Sequence, residues 1–285
     1  MIRAERIPPT ALVLGGVASV QFGAAFAKTL FDEVGPGGAV WLRVLFAALI
    51  LCALWRPALR GRSGAHWRLI LAYGFVLVAM NLTYYESLDR IPLGIAVTFE
   101  FVGPLGVAIA GSRHALDVLW VALAAAGILL LSNFGTADLD TLGVALALTA
   151  GGFWAAYILL AARVGRTLPG GQGLALGMAA GTIMLMPVGV GQGGGELFSV
   201  SVLAIGAAVA VLSSVIPYTL ELEALRRMPS NVFGVLMSLE PAAASLAGFI
   251  VLGEDLVARE IVAIGLVVAA SAGAARGSRV PPRDV

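Results

Sequence analysis

Apolar segments long enough to cross a bilayer recur along the whole chain, and no other feature narrows the choice of fold so far. A spanning helix needs about 20 predominantly apolar residues to cross roughly 30 Å of hydrocarbon. Hydropathy, read with the charged, glycine and proline breakers, predicts about ten spans. They lie near residues 10–30, 37–55, 67–87, 92–111, 115–132, 141–162, 172–191, 200–220, 229–252 and 256–275. The connections "FDEVGPGG", "RPALRGRSGAH", "NFGTADLD" and "QGGGELFS" carry the charge, glycine or proline of turns, and no long soluble segment interrupts the bundle. Composition agrees: 59% of residues are hydrophobic and only 12% charged, whereas a soluble domain averages about 25% charged residues. The expected fold is an all-α integral membrane bundle of ten transmembrane helices.

Lys and Arg set the expected orientation. Alternate connections, together with both termini, hold 14 of the 18 basic residues, among them Arg56, Arg60, Arg62, Arg163, Arg226 and Arg227. Lys28, Arg90 and Arg259 fall on the opposite side, and Arg43 lies inside a span. Both termini are therefore expected in the cytoplasm. "GAAFAKTL" contains the small-residue pattern of a signal-peptide cleavage site. Removing the first span would leave an odd number of helices and break the repeat described next, so it is kept.

The two halves are alike. "ESLDRIP" (residues 86–92) aligns with "EALRRMP" (223–229) at an offset of 137, which also carries Pro104 onto Pro241 and Gly111 onto Gly248. Gly15–Gly16 meets Gly151–Gly152 at an offset of 136, and Gln21 falls on Tyr157. A five-span unit repeated once must enter the membrane from opposite sides in its two copies, an inverted-topology repeat of the kind found in secondary transporters. The expected units are residues 1–135 and 136–285. Small residues four apart (Gly15, Ser19, Gly23 and Ala27 on helix 1; Gly143, Ala147, Gly151 and Ala155 on helix 6) are expected to let helix backbones pack closely in lipid.

Within the spans, the charged and polar residues point to a site. At about 1.5 Å of rise per residue, Glu100 lies ~12 Å from the outer end of its helix, Glu240 ~16 Å from the inner end and Arg43 ~9 Å from the outer end. Asn81 comes to a similar outer depth, and Gln21 lies near the middle. An ionised side chain at the bilayer centre costs at least about 2.5–3.5 kcal/mol, so such residues face the bundle interior or a wet cavity. Either Arg43 and Glu100 lock two helices together as an ion pair, or they line a substrate site; the sequence leaves both open. Pro104 and Pro241 stand beside the two glutamates and free backbone carbonyls in the preceding turn, as a kinked cavity wall requires. Trp154, Tyr157 and Tyr218 lie deep enough to line a pathway. Trp41, Trp67, Tyr84 and Tyr85 stand near span ends and read as interfacial anchors.

Other chemistry lacks its residues. Cys52 is the single cysteine, so no intrachain disulfide forms. No histidine–cysteine cluster has metal-ligand spacing, and no glycine-rich phosphate cradle occurs. An integral-membrane enzyme is the remote alternative. No metal, cofactor or nucleic-acid partner is expected.

Three stretches, "ASVQFGAAFAKTLF" (18–31), "RIPLGIAVTFEFVGPL" (90–105) and "IPYTLELEALRRMPSNVFGVLMSLEPA" (216–242), resemble the EamA-type transporters of the drug/metabolite transporter superfamily, and within it the threonine/homoserine exporter subgroup. The likeness extends over nearly the whole chain. It implies export of small amino acids or similar metabolites across the cytoplasmic membrane of a bacterium. A drug, nucleobase or sugar-derivative carrier on the same fold is the alternative. The expected mechanism is alternating access around a cavity between helices 1, 3, 4, 6, 8 and 9. A zwitterionic substrate needs a carboxylate for its ammonium, which Glu100 or Glu240 supplies, and a cation for its carboxylate, which Arg43 or a frayed helix end supplies. Either glutamate is also a candidate carrier of a coupling proton, with facilitated diffusion as the rival.

Overall fold

The computed structural model describes residues 7–91, 96, 99–111, 115–131, 140–237, 239–240, 243 and 258–277. Among these residues every regular element is helical. The order is α1 (Pro9–Trp55), α2 (Gly64–Leu88), α3 (Val102–Gly111), α4 (Ala115–Leu131), α5 (Thr141–Thr167) and α6 (Gln172–Gly193). A 3-10 turn (Gly194–Phe198) leads to α7 (Val200–Ala210), and a π-helical turn (Val211–Val215) joins that to α8 (Ile216–Arg227). Then come α9 (Ser230–Met237) and α10 (Ala258–Gly277). Among the described residues five helices are long and apolar enough to cross a membrane: Leu30–Trp55, Gly64–Leu88, Thr141–Thr167, Gln172–Phe198 and Val200–Arg227. Shorter apolar helices occupy Pro9–Val20, Val102–Gly111, Val118–Gly127 and Ile261–Ala270.

The limits of several elements differ from the sequence expectation for local reasons. The turn expected at "FDEVGPGG" shrinks to one residue, Gly35, at φ 68° and ψ 169°. Glycine takes a positive φ without a Cβ clash, and Pro36, which has no N–H to lose, starts the second leg of α1. The eighth span was expected to end at residue 220, yet α8 continues to Arg227. Its last turns are amphipathic, burying Tyr218, Glu221, Leu222 and Leu225 while Arg226 and Arg227 reach the end, so averaged hydropathy misses them. Side-chain caps start two helices: Ser63 accepts from the His66 N–H at 3.3 Å, and Asp140 accepts from the Gly143 N–H at 2.9 Å. Of the ninth expected span, Pro241 and Gly248 lie outside the described residues.

Large apolar side chains cover the exterior, including Ile183, Leu54, Leu116 and Leu159, as a surface facing hydrocarbon requires. Inside, small residues set the helix spacing. The first leg of α1 lies on the α7–α8 rod: Ser19 Oγ donates to the Leu212 carbonyl at 2.6 Å, and Gly23 faces Ser213. The second leg lies on α6, where Trp41 Nε1 donates to the Thr182 carbonyl at 3.1 Å. Gly74 of α2 meets the Gly177 carbonyl of α6, Gly103 of α3 meets the Gly151 carbonyl of α5, and Gly234 of α9 meets the Pro104 carbonyl. In lipid, where apolar burial gives helices no mutual attraction, such close approach is the main source of packing energy.

Gly151 and its neighbour Gly152 separate packing from helix propensity. A Cβ on Gly151 would stand 2.6 Å from the Glu100 carbonyl oxygen, whereas one on Gly152 meets nothing within 4 Å. Gly151→Ala should lower the thermal unfolding temperature of the detergent-solubilised protein. Gly152→Ala should leave it equal or raise it, since alanine is favoured over glycine in a helix by about 1 kcal/mol.

Candidate functional site

Two turns into the second leg of α1, Arg43 points inward and is only 5% exposed. A guanidinium at that burial needs partners, and α2 supplies them from two residues one turn apart. Nη1 donates to the Tyr85 hydroxyl at 2.9 Å, and Nη2 donates to Asn81 Oδ1. The Tyr85 ring lies beneath the guanidinium, 5.1 Å from centroid to Cζ, a cation–π contact. Nε has no hydrogen-bond partner among the described residues. Asn81 extends the chain of bonds: its Nδ2 donates to the Leu77 carbonyl at 2.7 Å and to the Tyr218 hydroxyl of α8 at 2.9 Å.

Below Tyr218 the column continues in aromatic rings. Tyr157 of α5 tilts against Tyr218 with centroids 5.4 Å apart and stacks on Tyr73 of α2 at 5.8 Å. The Tyr157 hydroxyl donates to Glu221 Oε2 at 2.7 Å. Glu221 is 4% exposed. One polar column thus runs from Arg43 through Asn81 and Tyr218 to Tyr157 and Glu221, built from α1, α2, α5 and α8.

Glu100 flanks the upper part of this column. It is 7% exposed and precedes a break in the helix at Phe101, before α3 begins. Pro104, four residues on, has no N–H to offer the Glu100 carbonyl, and that carbonyl lies against Gly151. Trp154 packs edge-on against Phe101, centroids 4.9 Å apart. The Glu100 carboxylate is within electrostatic reach of Arg43 and Glu240. Ion pairs within 4.0 Å among the described residues join Arg90 to Asp140 and Glu223 to Arg226 and Arg227. The guanidinium of Arg43 is therefore held by neutral groups, and Glu100 stands nearby without pairing to it. Glu240 is partly buried and within reach of Glu221 as well.

The structure thus brings together Arg43, Asn81, Tyr218 and Tyr157 through a continuous chain of contacts, with Glu100, Glu240 and Trp154 beside it. Gln21 belongs to α1, but its side chain lies outside what the structure describes, and so does Pro241. Pro104 lies in the first turn of α3, just after the break at Phe101. Sequence reasoning missed Glu221, Tyr73 and Tyr85. Tyr85 was expected at an interface; instead it is 6% exposed and binds Arg43. Tyr84, expected there too, is partly buried and within reach of Glu100, Glu240 and Arg43. The clue to Glu221 was its spacing: it stands three residues after Tyr218 and four before Leu225, on the buried face of α8. A separate, mainly apolar cleft of about 460 Å³ opens between α3, α5 and α9, with Gly106, Ala110, Ala155, Leu159 and Asn231 in its wall.

Removing Asn81 strands the guanidinium. Asn81→Leu should cost about 1–3 kcal/mol, the penalty of leaving a buried donor unpaired. Combining it with Arg43→Met should restore much of that loss, since two apolar groups leave no stranded charge. Denaturant unfolding of the two variants in detergent checks both signs.

A model of the EamA-like transporter family matches residues 141–276. The threonine/homoserine exporter RhtA of Salmonella typhimurium (strain SL1344) is 43% identical over 278 residues, 96% of this chain and 94% of that protein. The exporter of the same name from Escherichia coli (strain K12) is 43% identical over 268 residues, 93% of this chain and 90% of that one. A crystal structure of a protein only 20% identical superposes with a TM-score of 0.75 over 94% of this chain and 98% of its own, so the fold is shared beyond the sequence likeness. The apolar helices and these relatives make the chain a multi-pass membrane protein. With such identity over nearly its whole length, it belongs to the EamA-like transporter family.

Proposed function

We propose that the chain is a secondary transporter, not an enzyme, that exports small amino acids of the threonine and homoserine class by alternating access. It would do so across the cytoplasmic membrane of a bacterium. The printed names of its relatives support the substrate class. The observation that carries the site is the charge balance of the column. Glu100 lies within the field of both Arg43 and Glu240, and Arg43 bonds only neutral partners among the described residues. A zwitterion would complete both sets, its carboxylate against the guanidinium and its ammonium against Glu100 or Glu240.

The ten-span organisation as two inverted repeats, residues 1–135 and 136–285, belongs to the same proposal, and three residue pairs at the same offset support it. Asn81 and Tyr218 are 137 positions apart and bond to each other. Repeat mates that touch must lie on the pseudo-twofold axis, which runs in the membrane plane near its middle. Trp55 and Gln192 are also 137 apart: Trp55 covers Gly170 and Gly171 at the start of α6, while Gln192 accepts from the Gly37 N–H at 2.7 Å, at the start of the second leg of α1. Arg90 and Arg227 form a third pair, one bridging to Asp140 at 3.7 Å, the other donating to the Ile7 carbonyl at 3.1 Å. Each ties the end of one helix to the start of a helix in the other half. The bias of basic residues supports cytoplasmic termini.

Purified protein in vesicles loaded with labelled threonine should show saturable efflux. Homoserine should compete well, while analogues lacking either the ammonium or the carboxylate should compete poorly. Arg43→Gln and Glu100→Gln should each slow efflux at least about tenfold, the loss of one charge-assisted contact worth ~1.5–3 kcal/mol. Efflux unchanged in both variants would remove the column from the transport path.

A further inference from the structure

We propose that Glu221 carries the coupling proton, apart from the Arg43–Glu100 region that takes the substrate. The inference rests on the exporter proposal and adds the group that links it to a proton gradient.

Among the described residues, the surroundings of Glu221 supply it with no cation. Its carboxylate accepts from Tyr157 of α5 at 2.7 Å. From α2, Tyr73 stacks on that tyrosine. The first leg of α1 presents Gly16, where a Cβ would stand 3.9 Å from Glu221 Cγ. Helices α6 and α9, which also pack near α8, carry no ionisable side chain. Glu240 faces Glu221 as a second acid, and Tyr218, one turn earlier on α8, lies between Glu221 and Arg43. The nearest arginines along α8 are already engaged: Arg226 donates to the carbonyls of Gly165, Leu168 and Gly170, and Arg227 bridges to Glu223 at 3.1 Å. Among the described residues no cation comes within 4.0 Å of this carboxylate.

A carboxylate that dry and that short of positive charge is a site for a proton, which needs no cavity. Glu221 stands about 9 Å from the end of α8 by helix rise, toward the face proposed as cytoplasmic. There the Tyr157–Glu221 bond fastens α5 to α8 and closes the path inward. A charged acceptor makes such a bond roughly twice as strong as a neutral one. When a hydronium from the outer side gives up its proton, an O–H bond forms on Glu221, water leaves and the fastening weakens. The path then opens inward, the O–H bond breaks, and the proton passes to water in the cytoplasm as substrate enters. One proton moves in for each substrate that moves out.

Vesicles made from wild-type protein and Glu221→Gln test this directly. A gradient of two pH units supplies up to a ~100-fold accumulation ratio when one proton is exchanged per substrate, at 1.36 kcal/mol per unit. Wild-type vesicles should accumulate labelled threonine against its gradient when the pH difference drives a proton the other way. Glu221→Gln should lose this accumulation, and Glu221→Asp should recover it. Adding threonine to weakly buffered wild-type protein in detergent should release protons, a readout that needs no variant to fold. Accumulation intact in Glu221→Gln, or wild-type protein that neither responds to the gradient nor releases protons, overturns the proposal. Wild-type protein that exchanges threonine without responding to pH would overturn it while leaving the exporter function standing. Absence of any threonine exchange would instead sink that function first.

Discussion

A guanidinium cannot be left unsatisfied in a dry helix bundle, and the interior of this protein is organised around meeting that need. Arg43 reaches Tyr85 and Asn81 on α2, and Asn81 in turn bonds the Leu77 carbonyl and the Tyr218 hydroxyl of α8. One cation therefore ties together the second leg of α1, α2 and α8. The acids are handled differently. Glu100 and Glu221 are buried without an ion pair among the described residues, an arrangement that is costly in a resting structure and useful in one that must bind and release charged groups.

Close backbone packing makes that arrangement affordable. Gly103 against Gly151 draws α3 onto α5 and holds the Glu100 segment beside the column. Gly74 against Gly177 and Gly23 against Ser213 do the same for α2 with α6 and for α1 with the α7–α8 rod. The π-helical turn at Val211–Val215 interrupts that rod beside Ser19, whose hydroxyl takes the Leu212 carbonyl. Such turns often occur at functional sites. Here the turn comes just before Pro217 and Tyr218, and so it bears on the register with which Tyr218 and Glu221 face the column.

Much of this was legible from residue order. Apolar runs and breakers located most of the described helices, and the offset of 137 in the "ESLDRIP"/"EALRRMP" match is also the spacing between Asn81 and Tyr218, which bond to each other, between Trp55 and Gln192, and between Arg90 and Arg227. Arg43 and Asn81 stood out because polar groups deep in apolar runs are expensive, and Tyr218 because it is an aromatic deep enough to line a pathway. What escaped were residues whose local context resembles something ordinary. Tyr85 stands near the end of a span, where aromatics usually anchor to the interface, and only the position of Arg43 on a neighbouring helix turns it inward. Glu221 stands in the polar stretch "LELEALRR", which hydropathy assigns to a loop. Its burial follows from the amphipathic face of α8 meeting α5, a tertiary fact. The turn at Gly35 was likewise drawn too long, because one glycine–proline step can reverse the chain without a loop.

The proposed role of the column requires that water reach it from each face of the membrane in turn. Tyr84 stands beside Glu100 and Arg43 without bonding either, and Cys52 is the single native thiol, so Tyr84→Cys in a Cys52→Ala background supplies a reporter. Membrane-impermeant thiol reagents applied separately to each side of oriented vesicles should modify it from both, and more slowly when threonine is present. A thiol at this position that neither side can reach, with or without threonine, would mean that the column is a sealed structural core and that no substrate passes through it.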